Sequence, residues 1–178
     1  MSRKLNLVPV SVKKFDGSKQ LCRRDIDVNN SFIIVSFKWT KTIQVGNRVL
    51  WLPLAAISNS KVCPVQAYTG MCELNPFSAD SPAFAALHKK AVVHITYRQV
   101  QLKLKSLIGQ VGLNPKLFSS HSVRRGGASL AARSGIAPHL IQLMEDWKGK
   151  AYKQYVVHSL TEKYKVARQM RKFVNKQF

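Results

Sequence analysis

The sequence predicts a mainly α fold with a small three-stranded antiparallel β-sheet, in a single domain spanning residues 1–178. Three observations predict it. Two β-rich runs, Phe32 to Phe37 and Val49 to Leu54, follow LCRRDIDV, with turn signals at Asp16-Gly17, Asn29-Asn30 and Gly46-Asn47. Helix start and stop signals then dominate the second half, led by the capping box Thr96-Tyr-Arg-Gln99. Hydrophobic residues make up 46% of the chain, enough for one domain to bury a core without staples.

Taken in order, the β-rich runs form a sheet whose last two strands are joined by a hairpin. Cys63-Pro64 starts a short helix through VQAYTGMCEL, because proline suits the first helical position. Residues 76–82 read as loop, and 84–93 fit either strand or irregular chain. From Thr96, the residues Val100, Leu104, Leu107, Ile108 and Val111 make one apolar stripe ending at Gly112. The next helix is capped by Ser119 or Ser120, with a core stripe of Val123, Gly127, Leu130 and Ala131. Gly126 and Gly127 each cost that helix about 1 kcal/mol relative to alanine, and close backbone approach to a partner molecule or a neighbouring helix is the expected compensation. Ser134-Gly135 ends it, and Pro138 starts another over His139 to Asp146. A short helix over Ala151 to Val157 and a basic one from Ser159 to Val174 complete the chain.

Charge narrows the partner. There are 29 Lys and Arg against 8 Asp and Glu, a net charge of +21, and residues 81–144 hold nine cations and no acid. A surface this lopsided repels itself unless it meets a polyanion, so nucleic acid is the first expectation and an anionic membrane surface the second. The longest apolar run, Val49 to Ile57, is too short to span a bilayer, and no signal peptide opens the chain; both predict an intracellular protein. Cys22, Cys63 and Cys72 lack paired spacing and the five His are scattered, so reduced structural thiols and no metal or other cofactor are expected.

The chemistry concentrates between Ser119 and Val157. His121 and Arg124 stand one helical turn apart, followed by Trp147 and Tyr155, with no carboxylate before Glu145. Arginine offers a planar fork to two phosphate oxygens, histidine exchanges a proton near neutral pH, and tyrosine can hold a phosphoryl group covalently. The same region also reads as a helix-turn-helix, with Ser-Gly-Ile as the turn and the second helix offered to a major groove.

His121-Ser-Val-Arg124 as an HxxR box, Trp147, and Tyr155 eight residues beyond it resemble the catalytic domain of the tyrosine recombinases, the phage-integrase family. The wording HSVRRGGAS and HLIQLMEDWKGKAYKQY is closest to the recombinases of eukaryotic mobile elements, of the crypton and DIRS-type kinds. The resemblance implies DNA breaking and rejoining through a covalent phosphotyrosyl link, without metal or nucleotide. It implies Tyr155 as nucleophile, Arg3 and Arg124 neutralising the phosphate, and His121 and Trp147 hydrogen-bonding it. It further implies Lys41, in Trp39-Thr-Lys-Thr42, as the hairpin lysine that protonates the leaving oxygen. Arg125, Lys148, Lys150, Tyr152 and Lys153 would contact DNA around this centre. Asn6 stands where many members carry an acid, and Glu145 replaces a usual glycine.

Double-stranded DNA is the implied partner, with self-association on DNA in the full-length form and a nuclear location. A terminal segment in that family often packs on a neighbouring protomer, a role available to the last helix. Only Met1 and Ser2 precede Arg3, so the N-terminal core-binding domain and the first catalytic-domain helices are expected to be missing. The chain alone is expected to bind DNA and cleave it poorly. Two alternatives stay open: a non-catalytic DNA-binding module, and a type IB topoisomerase-like enzyme that only relaxes DNA.

Overall fold

A computed structural model describes residues 7–40, 43, 48–89, 91–145 and 160–177. About half of the described chain is helical, and it carries a three-stranded antiparallel sheet ordered β1 (Ile26–Val28), β2 (Phe32–Phe37) and β3 (Leu50–Ala55). β2 pairs with β3 in the register Phe32↔Ala55 through Phe37↔Leu50, and with β1 through Ile26↔Val35. Pro53 is tolerated because β3 is the edge strand, where a missing N–H breaks no ladder.

β2 reads as a nearly continuous apolar run because both of its faces are covered. One face carries Ile33, Val35 and Phe37, which join Ile26, Leu50 and Leu52 in the main core against Tyr68 of α1 (Pro64–Leu74). The other carries Phe32, which packs with Ala55 against Ala167 and Tyr164 of the last helix, α5 (Leu160–Gln177). The sheet is therefore a layer between α1 and α5.

The stretch 84–93, open in the sequence, falls in a two-stranded hairpin that ends one residue beyond it, β4 (Ala85–His88) with β5 (Ala91–His94), with Lys89 in the left-handed region at φ 48°. Next comes α2 (Tyr97–Gln110), capped as expected. The Thr96 N–H donates to Gln99 Oε1 at 2.7 Å, and the Gln99 N–H donates back to Thr96 Oγ1 at 3.4 Å. Gly112 ends the helix region at φ 77°, a conformation that costs a residue without Cβ nothing.

The apolar stripe of α2 does not reach the core. None of its residues is buried, and Val100, Leu107 and Val111 stay 42%, 47% and 69% exposed. Its main packing partner among the described residues is the 3-10 turn Pro115–Leu117, too small to cover a four-turn face.

α3 (Ser120–Arg133) and α4 (Pro138–Glu145) meet across a turn in which Gly135 takes φ 75°. Ala131, Ile136 and Ile141 form a second apolar cluster with Val166 of α5, and Met144 touches both this cluster and the main core. Only the carboxyl half of α3 takes part. Val123, expected inside, is 57% exposed and takes no part in either apolar cluster among the described residues. α5 packs on β3 and α4 of its own chain. Among the described residues, no helix is long and apolar enough to cross a membrane.

Candidate nucleic-acid interface

The start of α3 is held by short-range polar contacts. Ser119 is its N-cap, accepting the His121 N–H on Oγ at 3.2 Å, while the Ser119 N–H donates to Ser122 Oγ at 3.1 Å. Ser120 Oγ lies 3.3 Å from the Tyr97 hydroxyl, which accepts from Gln101 Nε2 at 2.7 Å, so α2 fixes the rotation of the turn. On that turn His121 is exposed; Arg124 is half-buried and engaged, and Arg125 is exposed. No acidic residue lies in the first turn, so the positive end of the helix and the two guanidiniums act in the same direction on an anion. Among the described residues, a Cβ added at Gly126 would meet nothing within 4 Å. The expected close approach to a neighbouring helix is absent at this position, and the backbone there is open to an incoming partner.

The second expected contributor sits beyond β2. Thr40 and Ile43 exchange both backbone hydrogen bonds, at 2.9 and 3.2 Å, and Thr40 Oγ1 also accepts the Ile43 N–H at 3.0 Å. These two residues flank Lys41-Thr42. The nearby Lys38 is committed elsewhere, since its Nζ reaches 2.5 Å from Oδ1 of the buried Asp25. Asp25 Oδ2 takes the Cys22 N–H at 2.9 Å, so both carboxylate oxygens are satisfied. Nothing in the local sequence signals this pair, because Asp25 and Lys38 are joined only by the β1–β2 pairing.

Of the residues singled out in the sequence, His121, Arg124 and Arg125 are brought together on one helix end. Arg3, Lys41, Trp147, Lys148, Lys150, Tyr152, Lys153 and Tyr155 lie outside the described residues. No family profile, curated protein or solved structure matches the chain.

Acidic groups are drawn into pairs far from α3 in sequence. Asp16 pairs with Lys19 at 3.1 Å, Asp80 with Arg24, and Asp25 with Lys38. Hydrogen bonds from the Ser18 hydroxyl and amide, with Lys19 beside them, hold the Asp16 carboxyl down at about 2. Three of the five tyrosines are described, and each has a structural task. Burial, reinforced by the Cys72 thiol, pushes the Tyr68 phenol well up, which makes it a poor nucleophile. Tyr97 bonds within the α2–α3 contact, and the Tyr164 ring meets Phe32 edge-on at 4.5 Å.

An apolar cavity of about 190 Å³ lies between β3, α3, α4 and α5, walled by residues such as Leu52, Leu130, Ile141 and Val166. Among the described residues its one charged neighbour is Arg171, which donates to the Ala56 carbonyl at 3.4 Å. Such walls can hold hydrocarbon and supply no acid, base or nucleophile. Among the described residues, no three His, Cys, Asp or Glu side chains are placed to hold a metal ion.

Proposed function

We propose that the chain is the catalytic domain of a tyrosine-recombinase-type enzyme that breaks and rejoins double-stranded DNA through a 3′-phosphotyrosyl intermediate. The observation that carries the reading is His121 and Arg124 one turn apart at the start of a capped helix whose first turn contains no acid, in a chain of net charge +21. The structural tasks of Tyr68, Tyr97 and Tyr164 support it further, since they leave Tyr152 and Tyr155 as the candidates for covalent chemistry. The commitment of Lys38 to Asp25 likewise favours Lys41 as the hairpin's proton donor.

In this mechanism the Tyr155 hydroxyl gives up its proton to solvent as its oxygen attacks the phosphorus in line, and the bond to the 5′-oxygen breaks. Lys41 gives its proton to that oxygen, and Arg3 and Arg124 neutralise the charge that develops on the non-bridging oxygens. His121 and Trp147 hydrogen-bond the same phosphate. Arg125, Lys148, Lys150, Tyr152 and Lys153 hold the flanking backbone. Rejoining reverses the steps. Nuclear location and self-association on DNA belong to the same proposal.

One observation favours a second reading: α3 and α4 meet at a tight turn, as in a DNA-binding helix-turn-helix. Against it, α4 has no Lys or Arg over 138–145 and buries Ile141, which leaves little to read a groove.

The test is incubation with a nicked suicide duplex, a denaturing gel, and mass spectrometry of the adduct. A covalent adduct on Tyr155 is expected, surviving EDTA, absent in Tyr155→Phe, retained in part by Tyr152→Phe, and reduced about a hundredfold or more in Arg124→Ala. Duplex binding with no adduct transfers the case to the helix-turn-helix module. Adduct without joining to a new strand transfers it to the topoisomerase-like enzyme.

A further inference from the structure

We propose that the solvent face of α5, through Lys165, Arg168, Lys172 and Lys176, is a second contact surface for the backbone of duplex DNA, on a different helix from His121 and Arg124. The proposal rests on the reading of DNA as the partner.

α5 sorts its cations into two groups. Lys163 is buried and donates to the Trp51 carbonyl at 2.9 Å, and Arg171 donates to the Ala56 carbonyl, so these two fasten the helix to the sheet. Lys165, Arg168, Lys172 and Lys176 are all exposed. At roughly 100° per residue they fall within an arc of about 80°, opposite the side that buries Lys163, Val166, Ala167 and Val174. The row runs about 16 Å along the axis at 1.5 Å per residue.

A solvated helix face ordinarily mixes signs, with carboxylates three or four positions from the lysines. Residues 163–178 contain no acid, so Arg168, Lys172 and Lys176 have only cations or neutral side chains at those spacings. Arg168 to Lys172 and Lys172 to Lys176 are like-charge pairs at the repelling interval. The row has one acid beside it, Glu162 three positions before Lys165, and Arg168 also lies over the Phe32 ring at 5.6 Å, with its side chain still exposed. From Arg168 on, the row is straight and of one sign, which suits a polyanion that is itself a line of charge, and duplex DNA presents one negative charge per about 1.7 Å of axis. Point-like ammonium groups contact phosphate without reading bases, so the surface adds affinity and no sequence preference.

The test measures binding of the full chain to a random duplex by fluorescence anisotropy across a salt series. The quadruple variant K165Q/R168Q/K172Q/K176Q is compared with K13Q/K14Q/K103Q/K105Q, which removes four exposed charges from other elements. Circular dichroism checks that α5 persists, as glutamine is a good helix former. The α5 variant is expected to bind about tenfold or more weakly, with a salt slope shallower by about three to four; the other variant should change by less than half as much. Equal changes in the two variants would mean that net charge alone acts, and would overturn the proposal. So would an unchanged slope in the α5 variant, or loss of binding to phosphatidylserine vesicles with duplex binding intact, which would assign the row to a membrane. If the unsubstituted chain binds no duplex, this proposal and the proposed function fall together. If it binds duplex through the row yet forms no covalent adduct, the row stands and the catalytic reading falls.

Discussion

Lys163 and Trp51 are 112 positions apart in the chain, and the Lys163 ammonium donates to the Trp51 carbonyl at 2.9 Å. The contact joins α5 to the edge strand of the sheet and gives a buried cation a fixed acceptor, without which burial would be costly. Its apolar stem packs as a hydrocarbon, in the manner of long basic side chains at interfaces.

Lys163→Ala is therefore expected to lower stability by about 2–4 kcal/mol, through lost packing and an abandoned carbonyl. Lys163→Met keeps most of the volume and should cost about 1–2 kcal/mol. Urea titration measures both, and a Lys163→Ala midpoint equal to that of the parent chain would contradict the contact.

Asp25 is 4% exposed and Lys38 is 52% exposed, which makes their ion pair asymmetric. Removing the carboxylate in Asp25→Ala strips the Cys22 N–H of its acceptor as well, and is expected to cost about 2–4 kcal/mol. Lys38→Ala leaves that amide bond in place and lets water reach the carboxylate, so it should cost less. The reverse order in chemical denaturation would show that the amide contact contributes little.

Gly126 has a helical backbone and open space where a Cβ would stand. Gly126→Ala should thus raise stability by about 0.5–1 kcal/mol. If the glycine is there to let DNA approach, the same variant binds duplex more weakly. Thermal melts and anisotropy on one preparation give both signs, and a variant that is more stable with unchanged duplex affinity would remove DNA approach as the reason for glycine.

The Asp16 carboxyl is held at about 2, below its ordinary 3.8, by its bonds to Ser18 and by Lys19. A depressed carboxylate stabilises the fold above its ordinary value, and that contribution is lost as pH falls from about 4 to about 2. Carbon-13 NMR titration should put the midpoint near 2. Asp16→Asn should be less stable than the parent chain at pH 6, with the difference closing by pH 2; a titration midpoint near 4 would refute this.

Much of the local structure is legible in residues close together in the chain. The Thr96–Gln99 capping box, the Ser119 cap, the proline at the start of α1 and the glycines at 112 and 135 act through bonds that span four or five positions at most. The same is true of the turn from His121 to Arg124, whose spacing on a helix is a matter of pitch. The three-stranded antiparallel sheet was likewise legible from its β-rich runs and the turn residues around them.

By itself the sequence determined the caps of α2 and α3, the excess of positive charge, and which residue types stand at the start of α3. Tertiary structure alone decided which apolar stripes are covered. The stripe on α2 and Val123 on α3 have the same pattern as core residues and lie at the surface, because a hydrophobic face is buried only if another element arrives to cover it. It also decided that β2 is covered on both sides, that Asp25 takes Lys38, and that Lys163 and Arg171 turn inward while Lys165, Arg168, Lys172 and Lys176 face solvent. Local bonding is encoded within a few residues; burial and charge pairing depend on groups tens of positions away, which only the folded chain brings within reach.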